Sequence, residues 1–398
     1  MNKKASLTVI FITIFIDLMG FGILIPILPT FASKSLGISD FGIGIIIASY
    51  SFIQFIFSHT LGRLSDKIGR RRIILFSLLF TITSYIVFSF SSSFILLLFS
   101  RVLGGIGGSN IGAAQAYIAD ITPKEERAKG MGVIGAAFGL GFVFGPLIGG
   151  FLSGYGYQIT GFASAFMSSV AFLYAFFMLP EPKHILEANR LENHSLIDIK
   201  FAKQILKHNI VGLLIVIFFI IVFSMANIYG TFSLLGYKVY NFTDRQIGEL
   251  FGILGIVSAI VQGGLMRILS SKFSERSVVL IGAVFMSLSL ALLPYGVNFI
   301  GVAAIACVLG LGVGILQPTV LSMISKYSSE KQQGAVLGLN SSFSAFGRVL
   351  GPLWGGFSFN FFGYQFPFIT GAAFTFVTFL IALFLLSSHK LSQALEHV

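Results

Sequence analysis

The sequence predicts an all-α integral membrane protein in which twelve transmembrane helices form two pseudo-symmetric six-helix bundles. Of its 398 residues, 55% are hydrophobic and only 10% are charged, whereas soluble domains carry about 25% charged residues. Apolar runs of about 20 residues recur along the chain, and each is long enough to cross roughly 30 Å of hydrocarbon as a helix. The runs are continuous rather than alternating, which excludes a transmembrane β-barrel.

The apolar runs divide the chain into two halves. The longest polar stretch, residues 180–208, predicts a linker between an N-terminal bundle (1–179) and a C-terminal bundle (209–398). The predicted spans are 7–28, 41–61, 73–90, 94–119, 129–153, 158–179, 209–236, 246–266, 277–295, 299–325, 333–358 and 364–386.

A charged island at residues 62–72 (GRLSDKIGRRR) sets the topology. It holds four Arg, one Lys and one Asp, a density that cannot lie in hydrocarbon, so we predict a short turn at the membrane surface. Short loops rich in Lys and Arg stay on the cytoplasmic side, which places both termini and the linker in the cytoplasm. In this orientation 21 Lys and Arg residues lie inside and 3 outside, while Arg101 and Arg348 fall within spans. The net charge of +11 therefore reflects topology, and we expect no nucleic-acid partner.

The two halves have the pattern of a parallel duplication. A shift of 206 residues places GPLIGG at 145–150 on GPLWGG at 351–356, and VLG at 102–104 on VLG at 308–310. Two six-helix halves related in this way are a known transporter plan, with the substrate site between them near the bilayer midplane.

Asp17 is the only acid well inside an apolar span, about 15 Å from the cytoplasmic end of the first helix at 1.5 Å per residue. An ionised carboxylate there is costly, and such groups usually face the bundle interior and mark proton or substrate pathways. We therefore predict proton exchange at Asp17. The alternative is a carboxylate held by neighbouring helices only to fix their packing.

Arg101 lies in the fourth span on a helical face that it shares with Gly105, Gly108, Gly112 and Gln115. Small residues on one face allow helices to approach closely, and an Arg and a Gln on that face predict a cleft. The alternative is an arginine that extends outward to the membrane interface.

Two glycine ridges, each beside a proline, lie in the fifth and eleventh spans. They consist of Gly141, Gly145 and Gly149 with Pro146, and of Gly347, Gly351 and Gly355 with Pro352. Such ridges allow tight helix packing and a kink. They also suit faces that meet across the two halves and seal the outer leaflet.

Polar side chains within the spans predict a wet central cavity, although an interhelical hydrogen bond is the simpler interpretation for each one alone. They are Gln54, Asn110, Gln115, Asn227, Gln262, Gln317 and Asn340. Arg348, in the outer half of the eleventh span, either pairs with Glu249 or contacts substrate. Together with Arg101, it leaves an anionic or zwitterionic substrate open.

The sequence lacks the signatures of an enzyme or of a cofactor site. The single cysteine, Cys307, permits no intrachain disulfide and no cysteine metal cluster. The six His show no ligand spacing, and no GxxxxGK[ST] phosphate-binding loop is present. We therefore expect no metal, no cofactor and no catalytic residue, with a proton gradient as the energy source.

Four motifs, in order and in the expected helices, resemble those of the major facilitator superfamily. They are DLMGFG at 17–22 with Pro26 and Pro29, GRLSDKIGRRR at 62–72, RVLGGIGG at 101–108 and GFVFGPLIGG at 141–150. The combination is most similar to the twelve-span drug/proton antiporters, above all to bacterial tetracycline- and multidrug-efflux proteins. The similarity fades in the second half, where the loop matching 62–72 lacks the Asp.

This resemblance implies proton-coupled export of a small amphipathic molecule such as tetracycline through a bacterial inner membrane, with Asp17 and Arg101 in proton coupling. It also implies a cytoplasmic gate, in which Asp66 bonds near Gln332 and Gln333 at the start of the eleventh helix, and Asp120 is placed to pair with Arg70 or Arg71. The gate residues are Gly62, Asp66, Gly69, Arg70, Arg71 and Asp120.

We expect a monomer whose partners are a small-molecule substrate, protons and the lipid bilayer. An uptake symporter for a sugar or an organic anion is the alternative within the same fold. A non-transporting membrane sensor is a more remote alternative.

Overall fold

The computed structural model describes residues 3–122, 127–182, 205, 210–329 and 332–386. Every regular element in these ranges is helical, and the helices form twelve spans, which confirms the predicted fold class. Most of the predicted linker, 183–204 and 206–208, lies outside the described residues.

The first unit comprises Met1–Asn193 together with Phe242–Gly252. Its helices are α1 (Lys3–Lys34), α2 (Asp40–Ile68), α3 (Arg70–Ser89), α4 (Phe94–Gly107), α5 (Asn110–Ile121), α6 (Arg127–Ser153) and α7 (Tyr157–Met178). Helix α1 packs on α6 and α7, and α3 packs on α4 and α7. Buried apolar side chains of α1, α3, α5 and α7 form one continuous core.

The second unit comprises His194–Asn241 and Ile253–Val398. Its helices are α8 (Val211–Lys238), α9 (Asp244–Ile260), a π-helical segment (Val261–Leu265), α10 (Met266–Lys272), α11 (Glu275–Leu292), α12 (Phe299–Lys326), α13 (Gln333–Phe362) and α14 (Phe366–Phe384). Helix α8 packs on α13 and α14, and α11 packs on α12 and α14. These contacts repeat those of the first unit, helix for helix, as a duplication requires.

Eleven of the helical spans are long and apolar enough to cross a bilayer. The twelfth is α13, which is 30 residues long. It carries Asn340, Arg348 and many glycines and serines, and these lower its hydropathy without shortening it.

The packing assigns the first turns of α9 to the first unit, although the sequence analysis places them in the C-terminal bundle. A side chain at Gly248 would overlap the carbonyl oxygen of Pro146, and a Cβ at Gly252 would lie 2.5 Å from the side chain of Leu147. The Tyr157 hydroxyl donates to Asp244 Oδ2 at 2.8 Å. Because glycine removes the side chain at each contact, the first turns of α9 approach α6 closely.

Helix starts follow the capping residues in the sequence. Ser39, Ser93, Ser274 and Asn298 precede α2, α4, α11 and α12, and each side chain accepts a hydrogen bond from a backbone N–H of the first turn. The first N–H groups of a helix have no partner within it, so these caps fix where each span begins.

The predicted turn at 62–72 is wrong in its extent. Helix α2 continues to Ile68 and α3 begins at Arg70, so Gly69 alone joins them, at a φ of +112°. A side chain rarely adopts this φ, which explains the glycine. The charged residues on either side remain helical because a helix end that leaves the hydrocarbon needs no break in its backbone hydrogen bonds.

Candidate functional site

Asp17 lies on α1 where α5 and α7 meet it. Its side chain is 7% exposed. Asn110 Nδ2 donates to Oδ2 at 3.0 Å, and Ser168 Oγ donates to Oδ1 at 3.1 Å. Each carboxylate oxygen thus receives a hydrogen bond from a different helix. Burial disfavours the charge and the two donors favour it, which suits a group that binds and releases a proton.

Arg101 lies on α4 and is only 3% exposed. Its Nε donates to Ser100 Oγ at 3.1 Å, its Nη2 donates to Ser84 Oγ at 3.4 Å, and its guanidinium lies 5.6 Å from the centre of the Phe88 ring. The side chain therefore points toward α3 and not to the membrane interface. Among the residues that the structure describes, no carboxylate lies within ion-pair distance of it.

Asp17 and Arg101 line the same small cavity, about 20 Å³ in volume, which is room for one water molecule. Phe21, Tyr50 and Tyr85 complete much of its wall. The Tyr85 phenol is close enough to both charged groups to interact electrostatically with each. The cavity thus brings together a carboxylate, a guanidinium and two phenols, and Thr81, Asn110, glycines and apolar side chains form the rest of its wall.

A break in the fourth span allows Arg101 and Asn110 to line the same cavity. Helix α4 ends at Gly107 and α5 begins at Asn110. Arg101 and Asn110 are nine residues apart, so an unbroken helix of 3.6 residues per turn would place them on opposite faces. With the break, both line the cavity.

Side chains satisfy the backbone groups that the break leaves without helical partners. Gln54 Nε2 donates to the Gly108 carbonyl at 2.8 Å, and Ser109 Oγ donates to the Gly105 carbonyl at 2.8 Å. Gly105 also packs on the α2 backbone, since a Cβ there would lie 2.6 Å from the carbonyl oxygen of Tyr50. The break is therefore a built feature of the fold and not a frayed helix.

The helical periodicity of the fourth span predicts Arg101 and Gln115 on one face of a continuous helix. In the structure Arg101 is buried and Gln115 is exposed on α5, because the break turns α5 relative to α4. Of the polar residues predicted to line a cavity, Asn110 does so and Gln54 holds the cavity wall.

Arg70 organises a charged cluster at the junction of α2 and α3. Its Nε lies 3.0 Å from Asp120 Oδ2, and its Nη1 lies 2.5 Å from both Asp66 Oδ1 and Ser65 Oγ. The Arg70 side chain is 12% exposed, against 25% for Asp120 and 42% for Asp66. Of the two partners proposed for Asp120, the structure selects Arg70. Gly62, by contrast, has no neighbour within 4 Å of a Cβ added there.

Arg71 and Gly69 meet the end of α7. Arg71 Nη2 donates to the Phe176 carbonyl at 2.5 Å, which satisfies a carbonyl of the last helical turn. The Glu181 carboxylate accepts from the Arg71 backbone N–H at 3.3 Å and lies 2.7 Å from where a Gly69 Cβ would stand. The α2–α3 junction is thereby tied to the segment that leaves the first bundle.

The second unit has a similar ion pair at the start of α11, in which the acidic and basic residues have exchanged places. Lys326 Nζ lies 2.9 Å from Glu275 Oε1, and the Tyr327 hydroxyl donates to Glu275 Oε2 at 2.9 Å. Burial and this bond to Glu275 raise the pKa of the Tyr327 phenol well above its usual range. Arg276 Nε donates to the Ala382 carbonyl at 3.2 Å, near the end of α14, as Arg71 does at the end of α7.

The glycine ridge of α6 packs on α1 within the first unit. A Cβ at Gly141 would lie 2.9 Å from Leu18, a Cβ at Gly145 would lie 2.6 Å from Gly22, and a Cβ at Gly149 would overlap the Ile23 carbonyl. The ridge therefore packs closely on α1 within its own unit, which agrees with the helix-packing interpretation. The neighbouring Pro146 carbonyl contacts Gly248 instead.

The ridge of α13 packs on α8 in the same manner. A Cβ at Gly351 would lie 2.7 Å from the Asn227 N–H nitrogen, and one at Gly355 would lie 2.5 Å from the Asn227 carbonyl oxygen. Pro352, beside them, is buried. Both ridges thus serve close packing inside their own unit.

The remaining predicted cavity residues of the second unit are dispersed. Asn227 is fully buried and donates to the Pro367 carbonyl at 2.5 Å. Asn340 is 3% exposed, Gln317 is half-buried, and Gln262 is exposed and donates to Ser258 Oγ at 3.0 Å. The structure joins none of these four to another through a direct hydrogen bond between the side chains it describes.

Arg348 is half-buried on α13 and interacts electrostatically with Tyr229. The sequence predicts that Arg348 pairs with Glu249 or contacts substrate. The Glu249 carboxylate accepts a hydrogen bond from Arg245 Nε at 3.0 Å.

The two units allow an internal comparison at the site. Glycines of α6 meet the backbone of Ile23, and the equivalent glycines of α13 meet Asn227. Ile23 of α1 and Asn227 of α8 are therefore equivalent positions. Asp17 lies six residues before Ile23, and Ile221 lies six residues before Asn227, so Ile221 is the counterpart of Asp17. The repeated buried pattern of α5 and α12 places Leu316 at the position of Asn110 in the same way.

The shift of 206 residues that aligns VLG at 102–104 with VLG at 308–310 places Cys307 at the position of Arg101. Ile221 and Leu316 are fully buried, and Cys307 is half-buried. The repeat therefore folds with uncharged, mostly apolar residues where the first unit keeps a carboxylate, an amide and a guanidinium. Because buried polar groups are costly, packing alone does not account for these three polar side chains.

Sequence reasoning missed Ser168 and Ser84, which bind the two charged groups. Serines are scattered through the spans, and most of those described donate to their own helix. No pattern in the sequence separates Ser168 from these.

Comparison with known proteins agrees with this architecture. The family model described as Major Facilitator Superfamily matches residues 10–269 and 264–396. Multidrug resistance protein 2 of Bacillus subtilis (strain 168) is 30% identical over 367 residues, which cover 90% of each chain. Tetracycline resistance protein, class E, of Escherichia coli is 30% identical over 357 residues, 89% of this chain and 87% of that protein. The crystal structure of the human organic anion transporter MFSD10 (TETRAN) matches with a TM-score of 0.71 at 24% identity, over 96% of this chain and 100% of that one. By its fold, its motifs and these matches over nearly its whole length, the chain belongs to the major facilitator superfamily.

Proposed function

We propose that this protein is a secondary active transporter that exports small amphipathic, drug-like molecules in exchange for protons. The observation that carries the proposal is the Asp17 carboxylate, buried between two donors in a cavity shared with Arg101. The second unit keeps apolar residues at these positions. The names of the similar proteins, multidrug resistance protein and tetracycline resistance protein, supply the substrate class.

The proposed setting is a bacterial cell membrane, with both termini in the cytoplasm and the chain acting as a monomer. The excess of Lys and Arg on the side of residues 62–72 supports this orientation. The proton gradient supplies the energy and no cofactor is required.

In the proposed cycle Asp17 takes up a proton when the site faces outside and releases it to the cytoplasm when the site faces inside. Substrate leaves in the opposite direction, and Arg101 favours the ionised carboxylate after release. One proton that moves inward through 100 mV yields about 2.3 kcal/mol, enough for at least a tenfold substrate gradient.

The charged cluster of Asp66, Arg70 and Asp120 is the proposed cytoplasmic gate. Its position at the α2–α3 junction and the low exposure of Arg70 support a role beyond topology, because a solvated positive turn needs no buried ion pair. Transport would require the cluster to close and open once in each cycle.

The test is transport of tetracycline by the purified full-length protein in vesicles, under an imposed pH gradient. We expect movement opposite to the proton flux, and we expect Asp17→Asn to abolish it. The control is Asp40→Asn, the same chemical change at the start of α2, which should transport as the unmodified protein does. Co-directional movement of substrate and protons, or full coupling in Asp17→Asn, would contradict the proposal.

One observation favours the second candidate, a proton symporter for an organic anion. The Arg101 guanidinium lines the cavity with no carboxylate at ion-pair distance among the described residues, so it suits an anionic group. The same vesicles separate the two functions, since a symporter moves substrate with the proton flux.

A further inference from the structure

Beside Asp17, one hydroxyl of α7 forms a hydrogen bond to α1. Ser168 Oγ on α7 donates to Asp17 Oδ1 at 3.1 Å, and Ser168 is fully buried. Most other described serines of the spans donate to a carbonyl of their own helix. Ser164, one turn earlier on α7 and equally buried, donates to the Thr160 carbonyl at 3.1 Å.

Gly20 permits this contact. It lies one turn after Asp17, and a Cβ there would stand 3.3 Å from Ser168 Oγ, from the Ser164 carbonyl oxygen and from the Tyr85 ring. These distances are tighter than an ordinary packing contact, so a side chain at position 20 would displace these neighbours by a few tenths of an ångström. The glycine of the first-helix motif thus brings Ser168 within reach of the carboxylate.

Helix α14 of the second unit is the counterpart of α7, and the helix that faces it carries no carboxylate at the position of Asp17. Gly156 and Gly363, both with a positive φ, precede α7 and α14, and twelve residues after each stand Ser168 and Thr375. The Thr375 hydroxyl donates to the Gly371 carbonyl of its own helix at 2.8 Å. Where no carboxylate lies on the facing helix, the hydroxyl at this position therefore bonds within its helix.

We infer that Ser168 is a positioning residue for proton exchange, whose hydroxyl ties α7 to the ionised Asp17 carboxylate and leaves it when Asp17 is protonated. The inference rests on the proposed proton-coupled function and extends it. Ionised Asp17 accepts from both Asn110 and Ser168. Protonation places a hydrogen on one oxygen, so that one of the two contacts weakens and Ser168 turns to the Ser164 carbonyl, as Thr375 turns to Gly371.

The proton balance of the step is simple. One proton from the medium adds to the carboxylate, and the same proton leaves on the other side of the membrane. The other titratable groups at the site are Arg101 of α4, Tyr50 of α2 and Tyr85 of α3, all of which line the cavity. Ser168 itself does not titrate, so its effect on Asp17 is separable from theirs.

The experiment is an infrared titration of the Asp17 carboxylic-acid band in purified full-length protein, with Asp17→Asn to identify the band. Ser168→Ala should move the midpoint by about one pH unit toward higher pH, a tenfold rise in proton affinity, since a donor to the charged form is lost. Ser164→Ala, the matched control, should leave the midpoint where it is. Gly20→Ala should move it in the same direction as Ser168→Ala without removing any polar group.

Equal midpoints in Ser168→Ala and in the unmodified protein would overturn the inference, as would equal shifts in Ser168→Ala and Ser164→Ala. The titration does not depend on transport. If the unmodified protein fails to exchange tetracycline for protons while Ser168→Ala still moves the band, the proposed function fails and the positioning role stands.

Discussion

The ion pair between Arg70 and Asp120 should contribute more to stability than an exposed pair of the same length. The perturbation is a double-mutant cycle of Arg70→Ala and Asp120→Ala. Their Nε–Oδ2 distance is 3.0 Å and the side chains are 12% and 25% exposed, so solvent screens the pair only in part. Exposed pairs contribute about 0.2–1 kcal/mol and partly buried charged hydrogen bonds about 1.5–3 kcal/mol. We therefore expect a coupling energy of about 1–1.5 kcal/mol, since Asp66 retains part of the contact when Asp120 is removed.

The chain contains a matched control for this prediction. Arg245 and Glu249 also lie 3.0 Å apart, but their side chains are 68% and 38% exposed. Their cycle should give about 0.3 kcal/mol, the usual value for such a pair one turn apart on a helix. The assay is the free energy of unfolding in mixed detergent micelles, measured for both cycles under the same conditions. Equal coupling energies would refute the reasoning, because burial would then make no difference to the pair.

Three further expectations concern helix contacts and the gate. Gly149→Ala should destabilise the protein by about 1–3 kcal/mol through overpacking against α1, while Gly132→Ala, with no neighbour within 4 Å of the new Cβ, should change the unfolding free energy by less than about 0.5 kcal/mol; equal effects of the two would contradict the packing argument. Tyr157→Phe removes the 2.8 Å bond to Asp244 and should cost about 1 kcal/mol in thermal unfolding, whereas no loss would show that water replaces the bond. Asp66→Ala should abolish vesicle transport while the protein still inserts into the membrane, and unaltered transport would return residues 62–72 to a role in topology alone.

The fold could be predicted from the sequence because a bilayer leaves few alternatives. Backbone polar groups in hydrocarbon need internal partners, so each long apolar run has to be a helix. The distribution of Lys and Arg predicts which side of the membrane each connecting loop faces. The same reasoning failed at residues 62–72. Charge density shows where a segment leaves the membrane but not whether its backbone stops being helical, and only Gly69 does so.

The charged half of the site was also predictable, since Asp17 and Arg101 stand out in apolar runs. Their surroundings were not. The break at Gly108 depends on Gln54, a donor on another helix, and glycines in a span are equally compatible with an unbroken helix. Whether Ser168 reaches a carboxylate depends on how closely α7 approaches α1, which is a property of packing and not of the local sequence.

The duplication separates what the fold needs from what one half adds. Both units pack the same helices through the same glycine ridges, and both tie the third helix to the end of the fourth by an ion pair, with the charges exchanged between Arg70–Asp120 and Glu275–Lys326. A feature retained with its charges reversed is required for its attraction and not for its sign, so in each unit this pair links the start of the third span to the end of the fourth. The charged residues of the cavity, in contrast, are not repeated in the second unit. Asp17 and Arg101 occur once, and Ile221 and Cys307 stand at the repeated positions. Since the scaffold is complete without them, their burial is a cost that structure alone does not require, and it supports the first bundle as the place of the proposed proton exchange.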